Sequence, residues 1–360
     1  MYKVFHIHFD SPYRVHYGQL KTQPVPIIDS STILRSLIYA SHLLYDEDQF
    51  NEIIDWIVHG KLRISSVLPT VKQGKEFLYL LPIPYLIKAK IFKAIQRIEH
   101  NKKIKTIEWI SLGTLAQLRD LPLENMVLKE MQSNDSKETL LIIDINGKLF
   151  IIYNRVLVTE KEFKTFKEVI PSRFYERVII PKNRIDRVSS ASDVFNLAAY
   201  KSITTNYVIL YVEDDYIAKY IHSALKLLSD LNIGSRRRVG YGHFKILAEN
   251  DFPSIFNYLF EDYYSAWVPL GLYVPSRTVL DSILWEKSYL RVEKYYGLAG
   301  DGISYKLPYL NCIVARSTLI FPDKSTMPTG LIHVERKPFE SYILYFNPLF
   351  YGVKYEYSDS

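Results

Sequence analysis

Apolar and polar positions alternate at the start of the chain in the pattern of a strand. Phe5, Ile7 and Phe9 are separated by the histidines His6 and His8. Side chains at every second position of a strand lie on the same face, so the apolar residues and the histidines fall on opposite faces. The pattern therefore predicts a half-buried strand that ends at Phe9.

The next segment predicts a helix, a second helix and a further strand. Asp29 to Thr32 is a run of preferred N-cap residues. A second helix is predicted for Gln49–Val58, and Leu62–Leu68 has the composition of a strand. A strand followed by helix and strand is the opening of a ferredoxin-like or RRM-like unit. The first helix carries apolar residues at helical spacing, namely Ile33, Leu34, Leu37 and Ile38.

A matching second half of such a unit lies further along the chain. Tyr207–Val212 predicts a strand, and Asp214 is placed to cap the helix that follows. A glycine-rich loop then leads to a predicted strand at Phe244–Leu247. The order strand, helix, loop, strand completes a ferredoxin-like unit.

Between these halves, the pair Asn146–Gly147 separates two apolar segments, Leu140–Asp144 and Lys148–Tyr153. This dipeptide favours a two-residue hairpin turn. Thr159 and Glu162 then form a capping box for a short helix. After Asp251 the chain becomes rich in strand formers and prolines, which predicts a mostly β second unit. We therefore expect an N-terminal domain over 1–250 and a C-terminal domain over 251–360.

The loop from Asn232 to Ile246, NIGSRRRVGYGHFKI, is the most informative segment for function. Arg236 to Arg238 lie among Gly234, Gly240 and Gly242. Guanidinium groups suit phosphate, and glycine lets the backbone approach a ligand closely. The loop is thus a candidate cradle for a polyanion. A solvated turn, with arginines for solubility, is the alternative.

Composition favours an acidic partner. The chain has 360 residues, of which 48% are hydrophobic and 23% charged, as in a folded protein. Its net charge is +6 and its pI is near 8.9. The 29 tyrosines can stack on bases as well as fill cores. Nucleic acid is therefore a candidate partner.

The remaining signals point to a cytoplasmic protein without a metal or cofactor. The single cysteine, Cys312, allows no internal disulfide and fits a reducing cytoplasm. The N-terminal residues lack the pattern of a signal peptide, and no apolar run is long enough to cross a membrane. His6 and His8 share a strand face, but no third ligand stands at a diagnostic spacing. The glycine-rich segment GLAGDGIS, 297–304, does not contain the lysine that a P-loop requires.

Two further basic segments have less specific patterns. Lys88–Lys105 holds seven basic residues, which favours a solvated helix face over a phosphate-binding surface. Pro181–Lys201 begins with Lys182, Asn183 and Arg184, then becomes small and polar before turning apolar. A protruding hairpin with a basic base and an apolar tip would suit an RNA backbone and an unstacked nucleotide.

Together, six segments resemble the RAMP superfamily of CRISPR RNA-binding proteins, and within it the family of fourth subunits of type III-A Csm effector complexes, which are Cas-five-like. The likeness extends along most of the chain, and its specificity comes from the order and spacing of short motifs. The segments are SPYRVHYG at 11–18, DSSTILRSL at 29–37, KNRIDR at 182–187, GSRRRVGYGHF at 234–244, YLRVEKYYGLAG at 289–300 and GLIHVERKP at 330–338.

The resemblance implies an α+β fold of two ferredoxin-like or RRM-like (RAMP) domains, with a thumb hairpin at about 181–201 and insertions. It implies a non-catalytic subunit that caps the repeat-derived 5′ handle of CRISPR RNA. Its protein partners would be the large polymerase/cyclase-type subunit and a neighbouring backbone RAMP subunit. The RNA-binding residues implied are Gly234, Ser235, Arg236, Arg237, Arg238, Gly240, Tyr241, Gly242, Lys182, Asn183, Arg184, Arg187, Arg14, His16, Ser31 and Arg35.

The chain departs from the family pattern in two places. The thumb segment VSSASDVFNL, 188–197, lacks the glycines that usually follow IDR, and an insertion at roughly 129–167 lengthens the chain. The related subunit of type III-D complexes, which has the same role, therefore remains an alternative.

Two interpretations from other classes also remain open. One is a metal-independent RAMP endoribonuclease that processes CRISPR repeat RNA, with His16, Tyr13 or Tyr17 as acid or base. The other is a structural protein whose basic face meets an acidic protein. The endoribonuclease would cut repeat RNA, and the structural protein would show no preference for RNA over another polyanion.

Overall fold

The structure is a computed structural model that describes residues 1–15, 24–93, 98–118, 121, 126–132, 139–185, 192–261, 263–295, 298–299, 305–306, 310–337, 340–353 and 355. The strands within these ranges are β1 (Tyr2–Phe9), β2 (Leu62–Ile64), β3 (Leu68–Gln73), β4 (Glu76–Pro82), β5 (Trp109–Ser111), β6 (Met126–Gln132), β7 (Thr139–Ile145), β8 (Lys148–Tyr153), β9 (Val156–Thr159), β10 (Tyr175–Ile185), β11 (Ser192–Ser202), β12 (Asn206–Val212), β13 (Phe244–Asp251), β14 (Tyr264–Pro269), β15 (Val292–Tyr295), β16 (Leu298–Ala299), β17 (Tyr305–Lys306), β18 (Leu310–Ile313), β19 (Leu319–Ser325), β20 (Leu331–Lys337), β21 (Glu340–Phe346) and β22 (Phe350–Val353).

Helices alternate with these strands mainly in the first two thirds of the chain. The α-helices are α1 (Ser30–Leu44), α2 (Glu47–Val58), α3 (Tyr85–Lys93), α4 (Ile98–Thr106), α5 (Leu112–Leu118), α6 (Glu160–Phe166), α7 (Asp215–Leu231), α8 (Tyr258–Glu261) and α9 (Arg277–Leu280). Short 3₁₀ turns occupy Arg237–Val239 and Ser254–Phe256.

The centre of the fold is an antiparallel sheet of the ferredoxin-like type. Strand β1 lies between β12 and β13, and β12 continues to β2 and β3, which gives the order β13–β1–β12–β2/β3. Helices α1 and α7 pack on one face of this sheet, where Phe5, Val208 and Leu225 join a single hydrophobic cluster. The predicted ferredoxin-like unit is thereby confirmed.

Strand β1 is buried on both faces, so the prediction of a half-buried strand is wrong. Phe5 and Ile7 face the helices, and Val4 and His6 on the opposite face are both 0% exposed. Val4 belongs to a second hydrophobic cluster that includes Val268 of the C-terminal part. The alternation in sequence came from a histidine in an apolar environment, and a single-sequence pattern cannot tell such a residue from an exposed one.

Local signals are confirmed where capping chemistry sets the boundary. The Asp29 side chain accepts hydrogen bonds from the backbone of Ser31 and Thr32, and α1 begins at the residue after Asp29. Asp214 caps α7 through the backbone N–H of Ile217. Thr159 forms the expected capping box at the start of α6. The strand predicted over 62–68 is instead two strands, β2 and β3, with a break at 65–67.

The chain between β3 and β12 extends the sheet. Strands β4, β5, β9, β8, β7 and β6 follow β3 in that order, and β5 pairs with β9 in parallel. The predicted hairpin joins β7 to β8, and its turn residues Asn146 and Gly147 have φ of 52° and 84°. These positive values are those of a type I′ turn. The segment at about 129–167 contributes strands to one end of the central sheet, and its being an insertion relative to the family stays a prediction.

The C-terminal part is mostly β in the residues described, as predicted. Strand β14 lies between β19 and β22, and three further antiparallel pairs accompany this sheet. Val268 and Tyr351 share the second cluster with Leu80 and Tyr207 of the N-terminal part. The division into domains 1–250 and 251–360 stays a prediction, and the hydrophobic core includes residues on both sides of it.

Candidate RNA-binding site

The glycine-arginine loop, residues 232–243, is held against the segment that follows β1. Ile233 donates a backbone hydrogen bond to the Gly242 carbonyl at 3.0 Å, which closes the loop at its base. Gly242 donates to the Pro12 carbonyl at 2.9 Å. The Ser235 backbone and hydroxyl both donate to the Arg14 carbonyl, at 2.8 and 3.0 Å. The backbone of the loop is therefore fixed by the protein before any ligand binds.

Two of its glycines are required by this close packing. Gly234 has φ +89°, and a Cβ there would lie 2.7 Å from the Arg14 carbonyl oxygen. Gly242 has φ +74°, and a Cβ would lie 1.9 Å from the Ile233 carbonyl oxygen. Both positions combine a left-handed backbone with a space that no side chain fits.

The three arginines of this loop have different surroundings. Arg236 and Arg238 are exposed, and Arg236 itself adopts a left-handed backbone with φ +66°. The Arg237 guanidinium lies 4.6 Å from the ring centroid of Tyr39 on α1. Cation–π stacking of this kind orients the side chain. Arg236 and Arg238 present their charge to solvent, whereas Arg237 also joins the loop to α1.

The thumb is a hairpin of β10 and β11, with eleven paired positions from Tyr175–Ser202 to Ile185–Ser192. It is longer at its base than the 181–201 expected from sequence, and residues 186–191 lie outside the described residues. Its base is joined to the central unit by reciprocal backbone hydrogen bonds between Tyr13 and Tyr200, at 2.8 and 2.9 Å. The predicted hairpin is present, and its root lies beside the loop.

Tyr241 connects the loop to the thumb. Its ring packs with Leu197 and Ala199 of β11 in a small hydrophobic cluster. The Lys182 ammonium lies 5.5 Å from the ring centroid. Arg14 donates a hydrogen bond from Nε to the Ala198 carbonyl at 3.0 Å. Arg14, Lys182 and the loop arginines are consequently brought to one edge of the fold from three separate parts of the sequence.

Several predicted residues fall elsewhere. Ser31 is 1% exposed in the first turn of α1, so its side chain does not line a groove in this structure. Arg35 donates to the Ser31 carbonyl at 3.1 Å, and its guanidinium lies 5.6 Å from the Tyr295 ring centroid. Asn183 is exposed and, one residue from Lys182, points to the other face of the hairpin.

Four of the named residues are only partly described or not described. Arg184 lies in β10, and nothing is described of its side chain. Arg187, His16 and Tyr17 lie outside the described residues.

Gly240, with φ +85°, has no atom within 4 Å of a Cβ built on it, so its turn needs a positive φ but no extra space.

The sequence predicted neither the contact of Tyr39 with Arg237 nor that of Tyr295 with Arg35. Arg35 and Tyr39 are four residues apart and therefore share a face of α1. Because Arg35 was a predicted site residue, this spacing indicates that Tyr39 faces the same side of α1. Tyr295 stands 260 positions from Arg35, so only the tertiary structure brings them together.

Tyr13, one of three candidates for acid–base catalysis, has a structural role. It is 1% exposed, and its hydroxyl donates to the Pro26 carbonyl. Burial raises the pKa of Tyr13 well above its ordinary value. A phenol that is buried, already hydrogen-bonded and difficult to ionise is a poor proton-transfer group for an RNA substrate.

His6, which was predicted to share a face of β1 with His8, also has a structural role. The ring stacks on Phe77 with centroids 4.2 Å apart, and Nε2 lies 3.2 Å from the Tyr79 hydroxyl. Burial, with a smaller contribution from the charge of Lys72, lowers the pKa of His6 to about 4. The described residues contain no group of three or more His, Cys, Asp or Glu side chains placed to hold a metal ion.

The basic segment at 88–105 is largely a helical surface, as its charge pattern favoured. It contains parts of α3 and α4, and Lys102 and Lys105 are exposed. Lys88 differs, because its ammonium donates to the carbonyls of Lys105 and Ile107 at 2.7 and 2.9 Å. Burial is the main cause of the lowered pKa of Lys88. This lysine therefore satisfies backbone carbonyls at the end of α4.

Comparison with solved structures gives the fold of the whole chain. A chain in the crystal structure of the Csm3–Csm4 subcomplex of the type III-A CRISPR-Cas interference complex has 17% identity and a TM-score of 0.59, with 97% of this chain and 100% of that chain covered. A chain of the Csm1–Csm4 cassette in complex with AMPPNP has 14% identity and a TM-score of 0.55, with 99% of both chains covered.

The cassette in complex with cA4 gives 15% identity, a TM-score of 0.55 and 99% coverage of both chains. Among curated protein sequences, no match was found. None of the described helices is long and apolar enough to cross a membrane. The family model of the RAMP superfamily matches residues 6–245, which include the central sheet, the thumb and the glycine-arginine loop. The chain belongs to the RAMP superfamily.

Proposed function

We propose that this chain is the Csm4-type subunit of a type III CRISPR effector complex and caps the repeat-derived 5′ handle of CRISPR RNA. The observation that carries the proposal is the loop at 232–243. Its backbone is fixed to residues 12–14, while Arg236 and Arg238 stand exposed beside the thumb. A preformed loop that presents guanidinium groups binds phosphates without a further entropic cost for its own ordering.

The position of the aromatic residues supports a site on the loop rather than on the sheet. RRM domains stack bases on aromatic side chains of the exposed sheet face. Here the corresponding face holds Tyr207, which is 0% exposed and belongs to the cluster shared with the C-terminal part. An RNA strand would therefore follow the basic edge formed by Arg14, Lys182 and the loop.

The protein partners proposed are those found with the similar structures. One of these structures pairs Csm4 with Csm3, and others pair it with Csm1. We propose that this chain likewise docks a large polymerase/cyclase-type subunit and a neighbouring backbone RAMP subunit, within the cytoplasm. Membership of a type III-A rather than a type III-D complex is part of the same proposal.

The proposed subunit is not an enzyme. Tyr13 is buried and bonded to Pro26, which removes one of three candidate acid–base residues of a processing endoribonuclease. The loop arginines bind phosphate but have no role in proton transfer at neutral pH, since guanidinium does not lose its proton. His16 and Tyr17 are tested by experiment below.

The test uses 5′-labelled CRISPR RNA that carries its handle, mixed with the purified protein in EDTA. A native gel measures binding, and a denaturing gel measures cleavage. We expect a shifted, intact RNA whose shift is lost when the handle is deleted. Heparin at the same charge concentration, added as a competing polyanion, should not abolish the shift. A discrete cut within the repeat that disappears in His16→Ala or Tyr17→Phe would instead make the protein a processing endoribonuclease.

Docking is tested separately by co-expression with a type III-A large subunit. A stable complex in size-exclusion chromatography is expected without RNA. A protein that binds the handle but elutes alone would keep the RNA proposal and overturn the docking proposal.

A further inference from the structure

Tyr241 combines burial with an unused hydroxyl. The residue is 4% exposed, because its ring packs against Leu197 and Ala199 of the thumb. Its hydroxyl has no hydrogen-bond partner among the described residues. A buried hydroxyl without a partner costs free energy, so such a group in a folded protein calls for an explanation.

Positive charges surround this hydroxyl-bearing ring. The Lys182 ammonium lies 5.5 Å from the ring centroid. Burial raises the pKa of Tyr241, while the charges of Arg14 and Arg236 act in the opposite direction. The phenol is therefore protonated near neutral pH and is available as a donor, with three cations close by. An anion is the partner that both the donor and the cations favour.

Two other buried tyrosines, Tyr13 and Tyr207, show the usual solution. The Tyr207 hydroxyl donates to the Leu80 carbonyl at 2.9 Å, and the Tyr13 hydroxyl donates to the Pro26 carbonyl. Each of these hydroxyls is satisfied by a backbone carbonyl within the protein. The hydroxyls of Tyr175 and Tyr345 also have no partner among the described residues. Tyr241 differs from them in its charges, since Arg14, Lys182 and Arg236 act near its ring, whereas Glu108 acts on Tyr175 and Arg63 on Tyr345.

We propose that the Tyr241 hydroxyl donates a hydrogen bond to one backbone phosphate of single-stranded RNA, held between Arg14, Lys182 and Arg236. The inference rests on the proposed RNA-binding function and adds one particular phosphate contact to it. The hydroxyl is buried in the free protein, so side chains beside it must move to admit the phosphate, while the ring stays packed on β11. Tyr241 is a binding residue in this assignment, and its ring also positions the loop on the thumb.

The variant Tyr241→Phe removes the hydroxyl and keeps the ring. We expect the Kd for handle RNA to rise about 10- to 150-fold, as for a hydrogen bond to a charged acceptor. The slope of log Kd against log salt should stay the same, because a neutral donor displaces no counterion. The Tm of the free protein should be equal to or higher than that of the wild type, since the unpartnered hydroxyl is gone.

Tyr45→Phe is the matched control. The Tyr45 hydroxyl donates to the Tyr220 carbonyl at 2.8 Å, between α1 and α7. Its removal should lower the Tm and leave the Kd unchanged. The two variants are thus expected to give opposite patterns. A Tyr241→Phe protein that binds like the wild type, or that has a lower Tm, would overturn the inference.

A methylphosphonate scan of the handle locates the phosphate. Replacement of the contacted phosphate should weaken wild-type binding strongly and Tyr241→Phe binding less, so that the two changes are not additive. Additivity at every position would contradict the contact. If wild-type protein fails to bind the handle at all, the proposed function itself fails, and this result is distinct from a variant that merely equals the wild type.

Discussion

Two regions of this molecule carry residues suited to RNA: the glycine-arginine loop at 232–243 and the face of the central sheet opposite α1 and α7. The sheet face holds Tyr2, Tyr79, His6 and Tyr207, the kind of aromatic set on which RRM domains stack bases. It packs in one cluster with β14 and β22, whereas the loop presents Arg236 and Arg238 to solvent.

The difference teaches that a fold type does not fix its binding surface. A ferredoxin-like sheet binds RNA on its face only when that face is free, and here a second β-rich part covers it. The aromatic residues then contribute packing, with pairs such as Tyr79 and Tyr207 at 5.0 Å. In the proposed function, binding is left to the edge, where a turn fixed by glycines holds exposed guanidinium groups.

The largest effect is expected from removal of both exposed loop arginines. Arg236→Ala with Arg238→Ala should weaken handle binding by about 3–6 kcal/mol, as for two charge-assisted hydrogen bonds. The salt slope should fall by about 0.7 log units for each phosphate that is no longer neutralised. Fluorescence anisotropy over a salt series measures both quantities. Lys161→Ala with Lys219→Ala, which removes the same charge from exposed helix positions, is the control.

An unchanged affinity and slope in the arginine variant would remove the loop from the RNA site. Neither the loop nor the sheet face, which is already covered, would then account for RNA binding.

On the sheet face, His6 should make stability depend on pH. Its folded-state pKa of about 4 lies below the ordinary value of 6.5. The neutral histidine is thus favoured in the folded state. The free energy of unfolding is therefore not reduced by His6 above pH 6.5, and it decreases by up to about 3 kcal/mol as the pH falls from 6.5 toward 4, because the histidine is protonated more readily in the unfolded chain.

Urea unfolding at about pH 7, 5.5 and 4.5 spans the range in which this loss should occur. His6→Gln, which cannot titrate, should have a smaller free energy of unfolding at neutral pH but a flatter pH profile. Parallel profiles for the two proteins would show that His6 is not the titrating group.

Within the loop, Gly242→Ala should lower the free energy of unfolding by about 2–3 kcal/mol through backbone strain and a clash with the Ile233 carbonyl. Gly240→Ala is a close match, because it also has a positive φ but has no atom within 4 Å of the added Cβ. Its cost should be about 1 kcal/mol, from the conformation alone. Equal losses in chemical denaturation would mean that packing against residue 233 does not shape the loop.

The smallest effect should come from Tyr207→Phe. Removal of the hydrogen bond to the Leu80 carbonyl should cost about 1–2 kcal/mol of stability. Handle binding should be unaffected, since the sheet face is buried. A clear rise in Kd, measured at a temperature where both proteins are folded, would return the sheet face to the RNA site and reverse the comparison.

Sequence reasoning was most accurate where local chemistry sets the structure. Asp29, Asp214 and Thr159 cap helices as predicted, and Asn146–Gly147 forms the predicted turn. These features depend on residues within a few positions of one another. It failed at β1, where His6 was expected on a solvent face but is buried against Phe77, because burial is decided by elements far away in the chain.

The sequence by itself determined the order of elements in the ferredoxin-like unit, the glycine-rich turn and the presence of a thumb. Only the tertiary structure decided which face of the sheet is covered, that Arg14, Lys182 and Tyr241 meet, and that Ser31 and Tyr13 are buried. Backbone turns and caps depend on interactions within a few residues, and so they are visible in a sequence pattern. The availability of a side chain to RNA depends on neighbours that are distant in the chain, and no local pattern records them.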